Sequence, residues 1–246
     1  MSVTVTFIRP KCRGEWATLV ARDRSSAVLY GTNGRDVIVG EPTAGTAIFA
    51  RGGHDLICTG GSFDTIHPGT GDDIVYAGDN SDYIGGEIAD GGGGGYFGEG
   101  NDTIHAGPGD DTVVGGLGND VIEGGAGLDR IWGCVTGTKF PCSGIDRDTI
   151  SAGPGNDRVT AGPGDDFVDG GDGDDLISGC LSAEQAVRWI CPLTDSDILS
   201  GGEGKDSLYG DRGDDRLRGG PGRDSCTGGS GKDTAAPSCE TKSGIP

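Results

Sequence analysis

Apolar side chains, most of them β-branched, recur every nine residues along most of the chain, each set between polar or glycine-rich neighbours. One apolar position flanked by polar ones predicts a three-residue strand, with its middle side chain inward and its neighbours outward. Nine residues therefore make one turn and one short strand. The predicted inward positions are Ile38, Ile57, Ile66, Val75, Ile84, Ile104, Val113, Ile122, Ile131, Ile150, Val159, Val168, Ile177, Leu199, Leu208 and Leu217.

An aspartate stands two residues before each of these positions and follows a glycine-rich turn. The full unit is Gly-Gly-x-Gly-x-Asp-x-apolar-x, in one outlying copy and four blocks of four, four, four and five copies. Such a repeat is too short to bury its own apolar face and must stack on its neighbours, which predicts a solenoid. The aspartates in register are Asp36, Asp55, Asp64, Asp73, Asp82, Asp102, Asp111, Asp120, Asp129, Asp148, Asp157, Asp166, Asp175, Asp197, Asp206, Asp215, Asp224 and Asp233.

Composition adds a constraint on what the chain binds. Of 246 residues only 33% are apolar and 52 are glycine, and the net charge is -20. This charge opposes compaction and disfavours nucleic acid or anionic lipid as partners. Low hydrophobicity with high charge also fits an unfolded acidic chain, but the fixed period favours a fold. Something positive has to offset the aspartates.

The tandem unit resembles the hemolysin-type calcium-binding family, the RTX nonapeptide repeats, over roughly Gly31 to Ala236. The resemblance implies an all-β fold, a right-handed parallel β-roll (a β-solenoid) whose successive turns alternate between two faces. It also implies calcium ions between turns two repeats apart, held by main-chain carbonyls and the sixth-position aspartates. Carried over to this sequence, those aspartates are the eighteen named above.

Elementary chemistry agrees with this expectation. Calcium takes six to eight oxygen ligands in flexible geometry, and glycine turns can point carbonyls inward where side chains would obstruct them. Pro108, Pro154, Pro163 and Pro221 at the third turn position keep their carbonyls available. Aspartate and glycine also form simple turns, but such turns need no aspartate at every ninth residue.

The blocks predict how many ions bind. If each ion needs two turns two repeats apart, the four blocks hold roughly nine calcium ions. These would add about +18 to the formal charge of -20. The turns before Asp64, Asp82, Asp148 and Asp197 depart from the glycine pattern. We expect weak or incomplete sites there.

Between blocks the aspartate step changes to 19, 20, 19 and 22 residues. Each gap is close to two repeats and could hold one degenerate repeat, which we prefer because 18 plus a small remainder recurs four times. Alternatively each gap is a loop ejected from a single turn. Degenerate repeats would distribute the irregular turns over both faces, whereas ejected loops would share one face and favour a partner-binding surface.

Eight cysteines predict an oxidising, extracellular setting. Short spacings favour Cys134 with Cys142, Cys180 with Cys191 and Cys226 with Cys239, which leaves Cys12 with Cys58. Free or metal-bound thiols are the alternative, but a zinc site is disfavoured because the chain has no C-x-x-C and only three histidines. The cysteine-led start, followed by "GTNGRDVIVG" and "DLICTG", looks like the arrangement in secreted actinobacterial members of the family.

We expect an N-terminal cap at 1–30, the calcium-binding roll at 31–236 and a C-terminal cap or tail at 237–246, since solenoid ends need closing. No signal peptide is visible in "MSVTVTFIRPKCRG", and because the cysteines argue for export we expect that one was removed. No run reaches the ~18 apolar residues of a membrane span.

The function expected from the sequence is calcium binding by a secreted structural module that folds when calcium fills its turns. One alternative is an adhesion or surface-recognition scaffold whose contacts lie in the irregular segments; clustering of Trp132, Phe140 and Trp189 would support it. Another is a secreted hydrolase with a site in those segments. No residue is assigned a catalytic role, because the phosphate-loop and EF-hand echoes lack the required spacing.

Overall fold

A computed structural model describes residues 10–21, 27–85, 100–134, 146–180 and 195–245. Within these ranges the chain forms 24 β-strands and no helix. No stretch that could serve as a membrane-crossing helix occurs among them. The first twelve strands are β1 (Lys11–Cys12), β2 (Glu15–Trp16), β3 (Leu19–Val20), β4 (Ala27–Tyr30), β5 (Val37–Val39), β6 (Thr46–Phe49), β7 (Leu56–Gly61), β8 (Thr65–His67), β9 (Ile74–Asp79), β10 (Tyr83–Ile84), β11 (Thr103–Pro108) and β12 (Thr112–Val114). The others are β13 (Val121–Ala126), β14 (Arg130–Trp132), β15 (Thr149–Pro154), β16 (Arg158–Thr160), β17 (Phe167–Asp172), β18 (Leu176–Ser178), β19 (Ile198–Glu203), β20 (Ser207–Tyr209), β21 (Arg216–Arg218), β22 (Asp224–Thr227), β23 (Thr234–Ala235) and β24 (Cys239–Ser243).

Two parallel sheets of eleven strands make up the fold. Odd-numbered strands β3 to β23 form one, here the odd sheet, and even-numbered strands β4 to β24 form the other, the even sheet. Each strand pairs in parallel with the strand two further along the chain, so Ile104 in β11 lies beside Ile122 in β13. Two nonapeptides therefore make one coil, and the predicted parallel β-roll is confirmed.

The inward side chains of both sheets form one thin core. All sixteen inward positions predicted from the period belong to it, and central ones such as Ile122 and Ile131 are 0% exposed. Burying an aliphatic side chain of this size contributes about 1.5 to 3 kcal/mol. Cys226 and Cys239 continue the core at its C-terminal end, where Ile245 packs against it.

The gap between Asp36 and Asp55 contains a degenerate repeat, as predicted. Strand β6 lies in the even sheet and pairs with β8, which places Ile48 beside Ile66 in the core. Thr46 takes the register of an aspartate, and its N–H donates to Asp64 Oδ1 at 2.6 Å. The coil continues through this gap with one extra residue.

For the other three gaps the prediction of a degenerate repeat is wrong. These gaps lie between β10 and β11, between β14 and β15 and between β18 and β19. Strand pairing leaves no place for a further strand in the odd sheet there, because β9 pairs with β11, β13 with β15 and β17 with β19. The extra residues are therefore inserted into single turns. We call the turns that lead from an even to an odd strand the loop edge, and those that lead from an odd to an even strand the regular edge. All three insertions lie on the loop edge.

The ends of the roll are fastened by disulfides. Cys12 in the β1–β2 hairpin is bonded to Cys58 in β7, and Cys226 to Cys239, which confirms both predicted pairs. Cys134 and Cys180 are also disulfide-bonded, and their predicted partners Cys142 and Cys191 lie outside the described residues.

Aromatic side chains cover part of the outer surface of the N-terminal coils. On the even sheet, Tyr30, Phe49 and His67 stack on successive strands, with ring centroids 5.3 and 4.7 Å apart. On the odd sheet, Arg13 of the hairpin lies 4.4 Å over the ring of Tyr76. The first strands of both sheets lie within 1–30 and β24 lies within 237–246. The division into cap, roll and tail stays a prediction.

Candidate calcium-binding turns

Stacked turns approach each other too closely for any side chain at the fourth position of a regular repeat. Gly127 has a φ of +152°, and a Cβ there would lie 1.7 Å from the Gly109 carbonyl oxygen of the adjacent coil. Gly118, on the loop edge, has a φ of +129°, and its Cβ would lie 2.0 Å from the Gly100 oxygen. Glycine is required at such positions because they need both a positive φ and close backbone packing.

The repeat aspartates form two continuous hydrogen-bonded ladders, one on each edge. Along each ladder, the N–H of one aspartate donates to Oδ1 of the aspartate in the next coil, as from Asp111 to Asp129 at 2.9 Å. The loop edge carries Asp36, Asp55, Asp73, Asp102, Asp120, Asp148, Asp166, Asp197, Asp215 and Asp233. The regular edge carries Asp64, Asp82, Asp111, Asp129, Asp157, Asp175, Asp206 and Asp224.

The expected alternation is therefore present. Asp111 and Asp129 are neighbours on the regular edge, and Asp120 lies between them in sequence but on the loop edge. Every predicted aspartate is buried, at 6% exposure or less. Glu240 ends the regular ladder, because its carboxylate accepts the Asp224 N–H.

The second carboxylate oxygen of most ladder aspartates is buried and has no hydrogen-bond partner. Such an oxygen carries the full cost of desolvation, about 1 to 3 kcal/mol or more for a charged group. The ladder residues with an unpartnered Oδ2 are Asp55, Asp64, Asp73, Asp82, Asp102, Asp111, Asp120, Asp129, Asp157, Asp166, Asp175, Asp197, Asp206, Asp215, Asp224 and Asp233. Two rows of buried, unpaired, hard oxygens are what a calcium ion would satisfy.

Burial raises the pKa of these carboxyl groups because it disfavours the charged form. The pKa rises to about 7 for Asp73, to about 8 for Asp102 and to about 9 for Asp148 and Asp197. Neighbouring carboxylates of the same ladder raise these values further, while the amide hydrogen bond lowers them. The column of like charges needs either protons or cations.

Side chains alone do not complete a metal site in the described part of the chain, where no group of three or more His, Cys, Asp or Glu side chains is placed to hold one ion. An ion between turns would take its remaining ligands from main-chain carbonyls, which calcium accepts readily. The closely stacked glycine turns supply those carbonyls. The residues present therefore fit calcium better than zinc, which prefers nitrogen and sulfur ligands.

Asp36 differs from the other ladder residues. Its Oδ2 accepts hydrogen bonds from Thr32 N–H at 2.8 Å and Thr32 Oγ1 at 2.9 Å, and its Oδ1 accepts one from Thr18 Oγ1 at 3.1 Å. Both oxygens are already hydrogen-bonded by the N-terminal coil.

Two aspartates outside the predicted set, one buried and one half-buried, also have a buried, unpartnered Oδ2. They are Asp195 and Asp146, each two residues before a ladder aspartate. Their turns, "SGIDRD" and "PLTDSD", were expected to be weak because they depart from the glycine pattern. The signal for them was in the sequence as an aspartate at the fourth turn position.

Comparison with known proteins agrees with this geometry. The family model described as RTX calcium-binding nonapeptide repeat (4 copies) matches residues 27–42, 59–91, 98–131, 143–177 and 200–235, more than half of the chain. The family is structural rather than catalytic. Comparisons with curated proteins and with solved structures gave no match. The match and the stacked aspartate turns together show that the chain belongs to the RTX calcium-binding nonapeptide repeat family.

Proposed function

We propose that the protein is a secreted structural module whose folding is driven by calcium at the aspartate ladders. The observation that carries this proposal is the row of buried, unpartnered Oδ2 atoms along both edges. Without a cation these atoms are unsatisfied and repel one another, so the free energy of calcium binding becomes folding free energy. The eighteen predicted aspartates are the proposed carboxylate ligands, with Asp36 least available.

The proposed number of ions follows from charge, because the continuous ladders offer more gaps than the separate blocks predicted. The ladders contain nine adjacent aspartate pairs on the loop edge and seven on the regular edge, sixteen in all. Filling every gap would add about +32 to a chain of formal charge -20, whereas roughly nine ions nearly neutralise it. We therefore propose roughly nine filled sites.

An extracellular location is supported by the disulfides, because the described cysteines are all bonded and such bonds persist in oxidising compartments. Extracellular calcium also suits the site class, since calcium-binding extracellular modules have affinities of about 10⁻⁴ to 10⁻³ M.

The test compares the intact protein with and without a calcium chelator at neutral pH, by circular dichroism and by counting bound metal. We expect a strong loss of β signal on chelation and roughly nine ions on readdition. Asp120→Asn on a ladder should lower the count, whereas Asp169→Asn on the outer surface of the odd sheet should not. A spectrum insensitive to chelator together with no bound calcium would overturn the proposal.

A second candidate function is recognition of a partner along the loop edge. The turns that receive residues 86–99, 135–145 and 181–194 follow β10, β14 and β18, which are every second strand of the even sheet. Strands two apart are separated by about 10 Å. Trp132, at the end of β14, lies beside the second of these turns, while Phe140 and Trp189 fall outside the described residues.

This recognition function is tested by restoring a nine-residue step at one of the three insertions at a time, with calcium present. Binding to a panel of extracellular matrix proteins and glycans should fall in the shortened variants while circular dichroism stays unchanged. Equal binding by all variants would reject recognition through the loop edge and leave the calcium module intact.

A further inference from the structure

Two turns of the loop edge carry a second aspartate where the repeat has glycine. Asp146 pairs with Gly164 across adjacent coils, which places it at the fourth turn position. A Cβ added at Gly213 would lie 1.1 Å from the Asp195 carbonyl oxygen. Asp195 therefore has the same register. These aspartates and their ladder neighbours, Asp148 and Asp197, give each of the two coils a pair of carboxylates.

Both carboxylates of a pair reach toward the same preceding turn. Asp195 Oδ1 accepts the Gly164 N–H at 2.7 Å, and Asp197 Oδ1 accepts the Asp166 N–H at 3.0 Å. The fourth-position aspartate thus repeats, two residues earlier, the contact that the ladder aspartate makes.

The earlier pair has the same arrangement. Asp148 Oδ1 accepts the Asp120 N–H at 2.9 Å. The Asp146 carboxyl accepts a hydrogen bond from the Gly118 amide of the same turn. Burial raises the pKa of Asp146, and this hydrogen bond lowers it by a smaller amount. Each pair therefore faces one gap between two coils.

Hydrogen bonding within the turn uses only half of each added carboxylate. Asp195 is 1% exposed, and its Oδ2 has no partner; the Oδ2 of Asp146 is likewise buried and unpartnered. Asp195 also raises the pKa of Asp197, after the larger effect of burial. The arrangement therefore concentrates two charges in a gap that elsewhere holds one.

A purely structural role would not require this charge. Ser62 and Asn80 occupy the fourth position in two other turns and bring no charge into them. An unpaired buried carboxylate is costly unless it is paired with a cation. The acidic side chain at this position is explained by a ligand role and not by turn formation.

We propose that the gap between the turns of Asp120 and Asp148 and the gap between the turns of Asp166 and Asp197 are two-carboxylate calcium sites, completed by Asp146 and Asp195. This proposal rests on the proposed function and deepens it, because it assigns a higher calcium affinity to these two sites than to the other ladder sites. Two carboxylates neutralise a divalent ion, and the charge of the ligand set tunes calcium affinity.

Their place in the chain gives them a role in assembly. The two coils directly follow residues 135–145 and 181–194, where the chain must return to the roll after an insertion. Closing a longer loop costs more conformational entropy. A tighter ion at the returning turn offsets that cost and fixes the register of β15 and β19.

The test uses the full chain freed of metal and titrated with Ca²⁺ alone by calorimetry, alongside a count of bound metal. In the unmodified protein we expect two ions that bind about tenfold or more tightly than the rest. Asp146→Asn and Asp195→Asn should each remove one ion from this tight class, and the double variant should remove both. Asp169→Asn is the matched control, because it changes the charge equally on the outer surface of β17.

Asp146→Gly and Asp195→Gly provide a second pair of variants that keep the roll, because they restore the residue found at Gly164 and Gly213. They should match the unmodified protein by circular dichroism in saturating calcium while losing the tight ions. Two tight ions retained in the double variants would overturn this inference alone. Absence of calcium binding in the unmodified protein would instead overturn the proposed function.

Discussion

The two edges of the roll carry the same aspartate ladder, but only the turns of the loop edge receive inserted residues. On the regular edge, neighbouring strands are joined by short turns, and the ladder contact from Asp111 to Asp129 is 2.9 Å long. On the loop edge, 18 residues separate Asp102 from Asp120 and 28 separate Asp120 from Asp148, yet both contacts lie within 2.8 to 2.9 Å. The ladder geometry is thus independent of the length of chain that it closes.

This difference shows what sets the register of a thin solenoid. Inward side chains stack in one core column per sheet, and the amide-to-carboxylate contacts align one turn on the next. An insertion at a turn disturbs neither, because the cost of a loop grows slowly with its length. A one-residue insertion inside a strand would move the later apolar side chain of that strand to the outer surface.

Calcium removal should have the largest effect, and it should affect both edges. Each edge carries buried carboxylates without partners, so chelation at neutral pH leaves both ladders self-repelling. Hydrogen exchange should show that the ladder amides of both edges lose protection together. Protection retained along one edge alone would contradict equal dependence on calcium.

A side chain at the fourth turn position should disrupt the two edges equally. Gly127→Val on the regular edge and Gly118→Val on the loop edge each force a branched side chain onto a neighbouring carbonyl in a positive-φ turn. We expect a loss of at least about 2 kcal/mol of unfolding free energy from backbone strain and overpacking. Calcium-saturated thermal unfolding measures it, with exposed Leu128→Val as control. A tolerated variant on one edge would show that its turns are not closely stacked.

The metal-free protein should gain stability as the pH falls. The folded-state pKa values of the ladder are raised above those of the unfolded chain, so the contribution of these groups is full below the ordinary aspartate pKa of 3.8 and is lost as the pH rises through about 6 to 9. Residual β structure in chelator should therefore be greater at pH 5 than at pH 9. Stability that increases with pH in chelator would contradict the buried, charged ladder.

The protons released on calcium binding should distinguish the two edges between about pH 6 and pH 9. The highest pKa values, about 9, belong to Asp148 and Asp197 on the loop edge, whereas on the regular edge the highest is about 8, for Asp82, and that of Asp206 is about 6. Calcium binding at pH 8 should therefore release protons mainly from the loop edge. Calorimetry in two buffers of different ionisation enthalpy measures the number released, and Asp197→Asn should reduce it more than Asp206→Asn.

Shortening an insertion should have the smallest effect. Restoring a nine-residue step between Asp82 and Asp102 shortens the chain between two ladder aspartates without removing a ladder contact, and we expect a change in unfolding free energy of about 1 kcal/mol or less. Deleting one residue from β13 is the comparison, because it shifts the register of Ile122 and should unfold the protein. A large loss from the shortened turn would place a core contact within the insertion.

The sequence by itself determined the repeated structure of this protein. A nine-residue period, one apolar position per strand and a turn of fixed composition leave only stacking as a way to bury Ile122 or Ile131, so the roll and its core could be predicted. The pair Cys226 with Cys239 also followed from its short spacing, and Cys12 with Cys58 was the pair that remained. These features are local, and each copy of the unit repeats the same information.

Only the tertiary structure decided the features that depend on which turn lies beside which. A step of 19 residues equals either two repeats plus one residue or one repeat plus ten. Strand pairing showed that the step from Asp36 to Asp55 contains a repeat at Thr46, whereas the step from Asp129 to Asp148 contains an insertion. Likewise, the carboxylate of Asp36 is engaged by threonines, whereas Asp195 gains an unpartnered oxygen in a turn that looked defective. The ladder contacts join residues 18 to 31 positions apart across stacked coils, and the motif within one repeat does not encode them.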